Sequence, residues 1–325
     1  MALLEVRDLG VSLRTGQGMA EAVREVGFSL ERGETLGLIG ESGCGKSITA
    51  LALLGLLPEG ARVSGSIRFD GRELVGLSDS QLCRLRGNRM AIVFQEPMTA
   101  LNPLHRIGRQ VAEPLRLHKR FSAAAARAEA IRLLDRVGLP DPMRRIDAYP
   151  HQLSGGQRQR VTIAMALACG PDLLIADEPT TALDVTIQSQ ILDLIAELVA
   201  ESGMGLILIS HDLGVIAENV RRMLVMYGGS VVESGPTGAV FARMAHPYTQ
   251  GLFAARPRLD AERGARLRTI PGTVPELADL PAGCPFADRC GLAVAACRTT
   301  RPPAETVGED HLVRCLRLDA ALEAR

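Results

Sequence analysis

The 325-residue sequence predicts an α/β protein with a three-layer α/β core around a parallel sheet. Three observations predict it. Short apolar runs, Leu36-Gly37-Leu38-Ile39, Leu173-Leu174-Ile175-Ala176 and Leu206-Ile207-Leu208-Ile209, suit strands buried on both faces. Stretches of helical pattern alternate with them, as parallel sheets require. Each run also ends on polar residues, Gly40-Glu41-Ser42, Asp177-Glu178 and Ser210-His211. In such sheets ligand groups gather at the carboxyl ends of strands.

Taken in order, residues 3–13 and 23–32 read as two strands around the turn Thr15-Gly16-Gln17-Gly18. Period-two alternation from Val23 to Leu30 supports the second. The strand of residues 34–39 leads into Gly40-Glu41-Ser42-Gly43-Cys44-Gly45-Lys46-Ser47. Ile48 to Leu57 is Ala/Leu-rich and helical, stopping at Pro58. Residues 64–71 form a short strand and turn, and residues 89–95 another strand that ends on Gln95. Residues 106–138 are helical, with Gly138 as C-cap. Pro140, Pro142 and Pro150 mark a loop into Leu153-Ser154-Gly155-Gly156-Gln157, and Arg158 to Cys169 is helical. The strand of residues 173–178, a helix over 184–202 closed by Gly203, and the strand of residues 205–210 follow. Residues 223–233 read as a final hairpin around Gly228-Gly229. Beyond about residue 236 the pattern weakens, and six prolines between 271 and 303 mark a separate, irregular extension.

Gly40 to Ser47 fits G-x-x-x-x-G-K-[ST], the phosphate-binding loop, between a strand and a helix. Its glycines let successive N–H groups turn inward around phosphate oxygens. The helix N-terminus adds unpaired donors and a positive dipole end. Lys46 is placed for the β- and γ-phosphates and the Ser47 hydroxyl for Mg²⁺. A plain glycine turn would not need Lys here: of 37 basic residues only Lys46 and Lys119 are Lys. Cys44 replaces the commoner serine, and its side chain is expected to point away from phosphate.

Composition removes other classes. Net charge is zero, Trp is absent and aromatics are 3%, so nucleic acid is not expected as the main ligand. No apolar run approaches the roughly 20 residues of a membrane span, and the start lacks the pattern of an export signal. A cytosolic location, or attachment to a membrane through a partner, is the expectation. Seven cysteines in such a chain predict no disulfides. Cys284, Cys290, Cys297 and Cys315 crowd into the last 42 residues, spaced C-x₅-C-x₆-C-x₁₇-C. That is neither the C-x₂-C usual for zinc nor a ferredoxin run. A metal staple would order a proline-rich segment without a core. Iron–sulfur cluster, zinc and free thiols all stay open, with His311 either a substitute ligand or a loop residue.

Leu153-Ser154-Gly155-Gly156-Gln157, between the phosphate loop and Asp177-Glu178, resembles the signature motif of the ATP-binding cassette (ABC) ATPases. Asp177-Glu178 resembles Walker B. Gln95 matches the Q-loop glutamine, Ala182-Leu183-Asp184 the D-loop and His211 the switch histidine. The resemblance implies a P-loop ABC ATPase fold, with an antiparallel β subdomain and a helical subdomain at about 97–160 inserted in a domain over 1–240. It assigns ATP and Mg²⁺ as cofactors. Ser47, Asp177 and Gln95 would serve Mg²⁺, Glu178 the attacking water and His211 the γ-phosphate. Gly40, Ser42, Gly43, Cys44, Gly45 and Lys46 would surround the phosphates. Ser154, Gly155 and Gly156 would close over a partner subunit's nucleotide. Leu13 stands where the family usually stacks an aromatic on adenine, which leaves that contact weaker or shared with Arg14.

Four stretches resemble the ATP-binding subunits of oligopeptide, dipeptide and nickel importers. They are Phe94-Gln95-Glu96-Pro97-Met98-Thr99-Ala100-Leu101-Asn102-Pro103, Tyr149-Pro150-His151-Gln152 leading into the signature, Ala176-Asp177-Glu178-Pro179-Thr180-Thr181-Ala182-Leu183-Asp184-Val185-Thr186, and His246-Pro247-Tyr248-Thr249. That implies a peripheral subunit on the cytoplasmic face of the membrane. Its partners would be two permeases, a second ATPase (different or identical) and an external solute-binding protein. Residues 96–120 would receive the permeases, and residues 241–325 would form an extension carrying a [4Fe–4S] cluster on the four cysteines. A soluble ABC ATPase acting on ribosomes or DNA is the alternative. Such proteins usually carry two cassettes, coiled coils or basic tails.

Overall fold

The computed structural model describes residues 2–16, 18–181, 183–255, 269–276 and 279–323. The strands are β1 (Leu4–Thr15), β2 (Gly18–Leu30), β3 (Thr35–Ile39), β4 (Arg62–Phe69), β5 (Arg72–Glu73), β6 (Met90–Val93), β7 (Leu173–Asp177), β8 (Gly205–Ser210), β9 (Arg222–Tyr227), β10 (Ser230–Pro236), β11 (Glu305–Gly308) and β12 (His311–Val313). The helices that bear on function are α1 (Lys46–Leu54), α2 (Ile107–His118), α3 (Ala123–Arg136), α4 (Gly155–Leu167), α5 (Val185–Ser202), α6 (Leu213–Asn219) and α7 (Pro247–Ala254). Among the described residues no helix is long and apolar enough to cross a membrane. The chain divides into two compact units, described separately.

One unit comprises residues 1–4, 30–35 and 69–209. Its sheet is parallel, with Val93 opposite Ala176 and Asp177 opposite Ile209. Every residue of β7 is buried, which is why the run shows no alternation. The expected helix over 106–138 is two helices, α2 and α3. Lys119 ends the first, and the Ser122 hydroxyl caps the second by accepting from the Ala125 N–H at 3.2 Å. A serine cap is a local signal that averaging over a long Ala-rich stretch conceals. Buried Gln110 accepts from the Asn102 N–H and donates to the Asn102 and His105 carbonyls. This fixes the loop that follows Gln95. Arg32 and Arg89 both pair with Asp70 and Asp172, a four-member ion network.

The other unit comprises residues 5–29, 36–68 and 210–325. β3 pairs in parallel with β9, Ile39 opposite Val225, and β9 pairs antiparallel with β10, with a bulge between Val231 and Glu233. α1 starts at Lys46 and ends before Gly55, earlier at both ends than the sequence suggests. Gly55 takes a left-handed φ of 61° and returns its N–H to Ala52 and Leu51, so glycine rather than Pro58 stops the helix. The tail also differs from an irregular extension. β12 adds to β10, Glu233 opposite Val313, and β11 pairs with β12. The hairpin over 223–233 is therefore not the last. β12 has only three residues, with His311 and Val313 buried and Leu312 exposed. Three positions are too few for a period to be read.

Candidate active site

The phosphate loop forms where β3 gives way to α1. Gly40 has φ 155°, and a Cβ there would lie 2.2 Å from the Met226 carbonyl oxygen and 2.6 Å from Cys44 Sγ. Only glycine lets the loop pass so close to β9. Lys46 is 6% exposed. Its ammonium donates to the Gly40 carbonyl at 2.8 Å and the Glu41 carbonyl at 3.1 Å, and approaches Cys44 Sγ at 3.7 Å. Cys44 is fully buried, and burial pushes its thiol pKa up. Its side chain points into the protein. Ser42 and Gly43 are exposed and Ser47 is half-buried. Two residues far away in sequence also hold this loop: Tyr248 accepts from the Glu41 N–H, and Arg289 pairs with the Glu41 carboxylate. Sequence reasoning missed both roles. Tyr248 lies in a stretch that stood out only as a family marker, and nothing in the pattern marks Arg289. In the same unit His211 is exposed, just beyond β8, between Ser210 and the cap of α6. The Ser210 hydroxyl accepts from the Asp212 N–H, and the Asp212 carboxylate accepts from the Gly214 N–H. Leu13 is half-buried on β1.

In the first unit, Gln95, Asp177 and Glu178 come together at the ends of β6 and β7. Gln95 Nε2 donates to Glu178 Oε2 at 3.0 Å, and Thr181 Oγ1 donates to the same oxygen at 2.9 Å. Two donors on one oxygen fix the carboxylate's orientation. Thr181 is a further addition to the site. Asp177 is 6% exposed. Glu178 has φ 46°, a left-handed conformation that costs a non-glycine residue about 1–3 kcal/mol. Such strain concentrates at functional sites.

The signature segment starts α4 with a capping box. Ser154 Oγ accepts from the Gln157 N–H, and Gln157 Oε1 accepts from the Ser154 N–H and from Arg145. This is why the helix begins at Gly155 rather than Arg158. A Cβ on Gly156 would meet Ile187 Cγ2 at 2.8 Å, so glycine is needed for close packing on α5. Asp184 caps α5 by accepting from the Ile187 N–H. Ala182 of the D-loop lies outside the described residues.

Among the described residues, no group of three or more His, Cys, Asp or Glu side chains is arranged to hold a metal ion. Of the four tail cysteines, Cys284, Cys297 and Cys315 are buried and Cys290 is half-buried. Burial pushes the Cys284 thiol pKa up to about 12, and Cys315, Cys290 and Cys297 act in the same direction. Burial also raises the Cys290 and Cys315 pKa values. The Cys284 N–H donates to the Cys297 carbonyl at 2.7 Å. His311 is not one of this group: it is buried on β12, with Nε2 2.8 Å from Glu233 Oε1.

Residues 23–181 match the family described as ABC transporter, and residues 232–297 the one described as oligopeptide/dipeptide transporter, C-terminal region. The oligopeptide transport ATP-binding protein OppD of Salmonella typhimurium is 50% identical over 315 residues, covering 97% of this chain and 93% of that one. The protein of the same name from Mycobacterium tuberculosis is 50% identical over 318 residues, covering 98% of this chain and 52% of that one. A solved dimeric ATP-binding cassette, in a post-hydrolysis state bound to ADP and Pi, has a TM-score of 0.65 and 29% identity. It covers 72% of this chain and 98% of that one. Similarity of this degree, along nearly the whole length and with every motif in order, shows that this chain belongs to the ABC transporter family, in the branch that carries the oligopeptide/dipeptide transporter C-terminal region.

Proposed function

We propose that this chain is an ATP-hydrolysing subunit that energises a membrane importer for peptides or a similar small solute. The observation that carries the reading is the phosphate loop, with Lys46 buried inside it between a parallel strand and a helix N-terminus. The names of its relatives, oligopeptide transport ATP-binding proteins, support the type of solute.

In this reading the loop amides from Gly43 to Ser47 and the Lys46 ammonium bind the β- and γ-phosphates. Ser47, Asp177 and Gln95 offer the hard oxygen donors that Mg²⁺ prefers. The ion, when bound, neutralises phosphate charge. Glu178 accepts a proton from water as the water oxygen bonds to the γ-phosphorus. The bond to the β–γ bridging oxygen breaks, and ADP and phosphate leave. Gln95 and Thr181 position the Glu178 carboxylate through their bonds to Oε2. His211 contacts the γ-phosphate, Leu13 lies against adenine, and Ser154, Gly155 and Gly156 serve the nucleotide of a partner ATPase.

The remaining assignments follow the family resemblance. The ATPase domain spans residues 1–240, with the helical insertion at about 97–160, and the extension spans 241–325. The chain sits on the cytoplasmic face of the membrane with two permeases and a second ATPase subunit, served by an external solute-binding protein. Cys284, Cys290, Cys297 and Cys315 hold a [4Fe–4S] cluster, with zinc the lesser alternative. The support is the chemistry of the donor set: four thiols are the soft ligands that such a centre takes. The test is purification from membranes with identification of any co-purifying permeases, followed by ATP turnover with and without Lys46→Ala. Turnover that depends on Lys46 in a permease-bound complex is expected. Sedimentation with ribosomes and no association with permeases would overturn the reading.

A further inference from the structure

Glu41, the first variable residue of the phosphate loop, is gripped by two separate parts of the tail. Its N–H donates to Tyr248 Oη at 2.8 Å, from α7. Its carboxylate receives a fork from Arg289, with Nη1 to Oε2 at 2.6 Å and Nη2 to Oε1 at 3.1 Å. The Arg289 side chain is 5% exposed and that of Glu41 29%. Arg289 is itself immobilised. Nε donates to the Pro271 carbonyl at 2.8 Å, Nη2 to the Ile270 carbonyl at 3.4 Å and Nη1 to Tyr227 Oη at 3.3 Å. Its guanidinium also lies 5.7 Å from the Tyr227 ring centre and 6.0 Å from that of Phe286. Such a planar, doubly bonded and largely desolvated pair is the strong kind of ion pair, and lysine cannot reproduce its geometry.

This placement has a cost and a remedy. A carboxylate in a loop that binds phosphates repels them, and a guanidinium locked onto it cancels that charge. The same residue positions the lysine, because Lys46 donates to the Glu41 and Gly40 carbonyls. A shift of Glu41 therefore shifts the ammonium. We propose that Arg289, assisted by Tyr248, is a positioning residue for nucleotide binding: it neutralises and fixes Glu41, so the folded tail sets the affinity of the phosphate loop. The inference rests on the nucleotide-binding reading above.

The test is binding of a fluorescent ATP analogue to the full chain, with melting temperatures measured alongside. The variants are Arg289→Ala, Arg289→Lys, Glu41→Gln and the double variant Glu41→Gln/Arg289→Ala. Arg289→Ala should raise the nucleotide Kd about 10-fold or more, because the loop carboxylate is left uncancelled. Added salt should shrink that loss by screening the exposed charge. Arg289→Lys keeps the charge without the fork and should lose about 3-fold. In the Glu41→Gln background, removing Arg289 should change Kd by less than about 3-fold, since the partners act as one unit. An Arg289→Ala protein that binds like wild type overturns the inference, as does an equal loss in both Glu41 backgrounds. If Arg289→Ala fails to fold, Arg289→Lys and the double variant decide. A wild-type chain that binds no nucleotide would sink the functional reading instead.

Discussion

Acidification should loosen the tail through one histidine. His246 is 1% exposed and caps α7, where its Nδ1 accepts the Tyr248 N–H at 3.1 Å. Burial lowers its pKa from the ordinary 6.5 to about 4, against a smaller opposing pull from Glu233. The unfolded chain takes up this proton below 6.5 and the folded chain only below about 4. The stability due to neutral His246 is therefore complete above pH 6.5 and is lost as pH falls toward 4. At about 1.36 kcal/mol per pH unit, that gap amounts to about 3 kcal/mol. Protonation would place a hydrogen on Nδ1, facing the Tyr248 N–H, and so break the cap. His246→Asn is the control, because asparagine caps helices well and does not titrate. Urea unfolding can be followed by tyrosine fluorescence: Tyr227 and Tyr248, two of the three tyrosines, lie ring to ring at 4.6 Å. Between pH 7 and 4 the wild type should lose about 3 kcal/mol more than His246→Asn. Parallel losses in the two proteins would refute the reasoning.

Two further predictions follow from the loop and the tail. Gly40→Ala forces a Cβ to 2.2 Å from the Met226 carbonyl, while Gly43→Ala meets no atom within 4 Å and carries only the strain of φ 81°. The first should cost about 3 kcal/mol or more and the second about 1 kcal/mol in thermal or urea unfolding; equal stabilities would contradict the loop geometry. Anaerobic purification should yield a brown protein absorbing at about 400 nm, with the colour lost on Cys290→Ser. A colourless protein with stoichiometric zinc would reverse the choice of metal.

What could be read from the sequence followed local constraint. The parallel strands were legible because burial on both faces leaves an unbroken apolar run, as in β7 and β8. The phosphate loop was legible because its glycines and Lys46 have few substitutes. The ends of α1 and α4 differ from the sequence pattern because short-range capping sets them: Gly55 turns left-handed ahead of Pro58, and Ser154 captures the Gln157 amide ahead of Arg158. The tail was least legible. Its order comes from long-range partners, β12 on β10 and Arg289 on Glu41, 248 positions apart in sequence. No local pattern encodes such pairings. The contact of Thr181 with Glu178 was hidden for another reason, since threonine after a strand is ordinary and only the 2.9 Å bond gives it a role.

Turnover by Glu178→Gln in the assembled complex tests the account most directly. The glutamine keeps the size of the side chain and an oxygen for Gln95 and Thr181 to donate to, but it cannot take a proton from water. ATP should still bind with an affinity close to wild type, while hydrolysis should fall about 100-fold or more, the usual worth of a general base. Turnover near the wild-type rate would contradict the assignment of Glu178 and the catalytic site built around it.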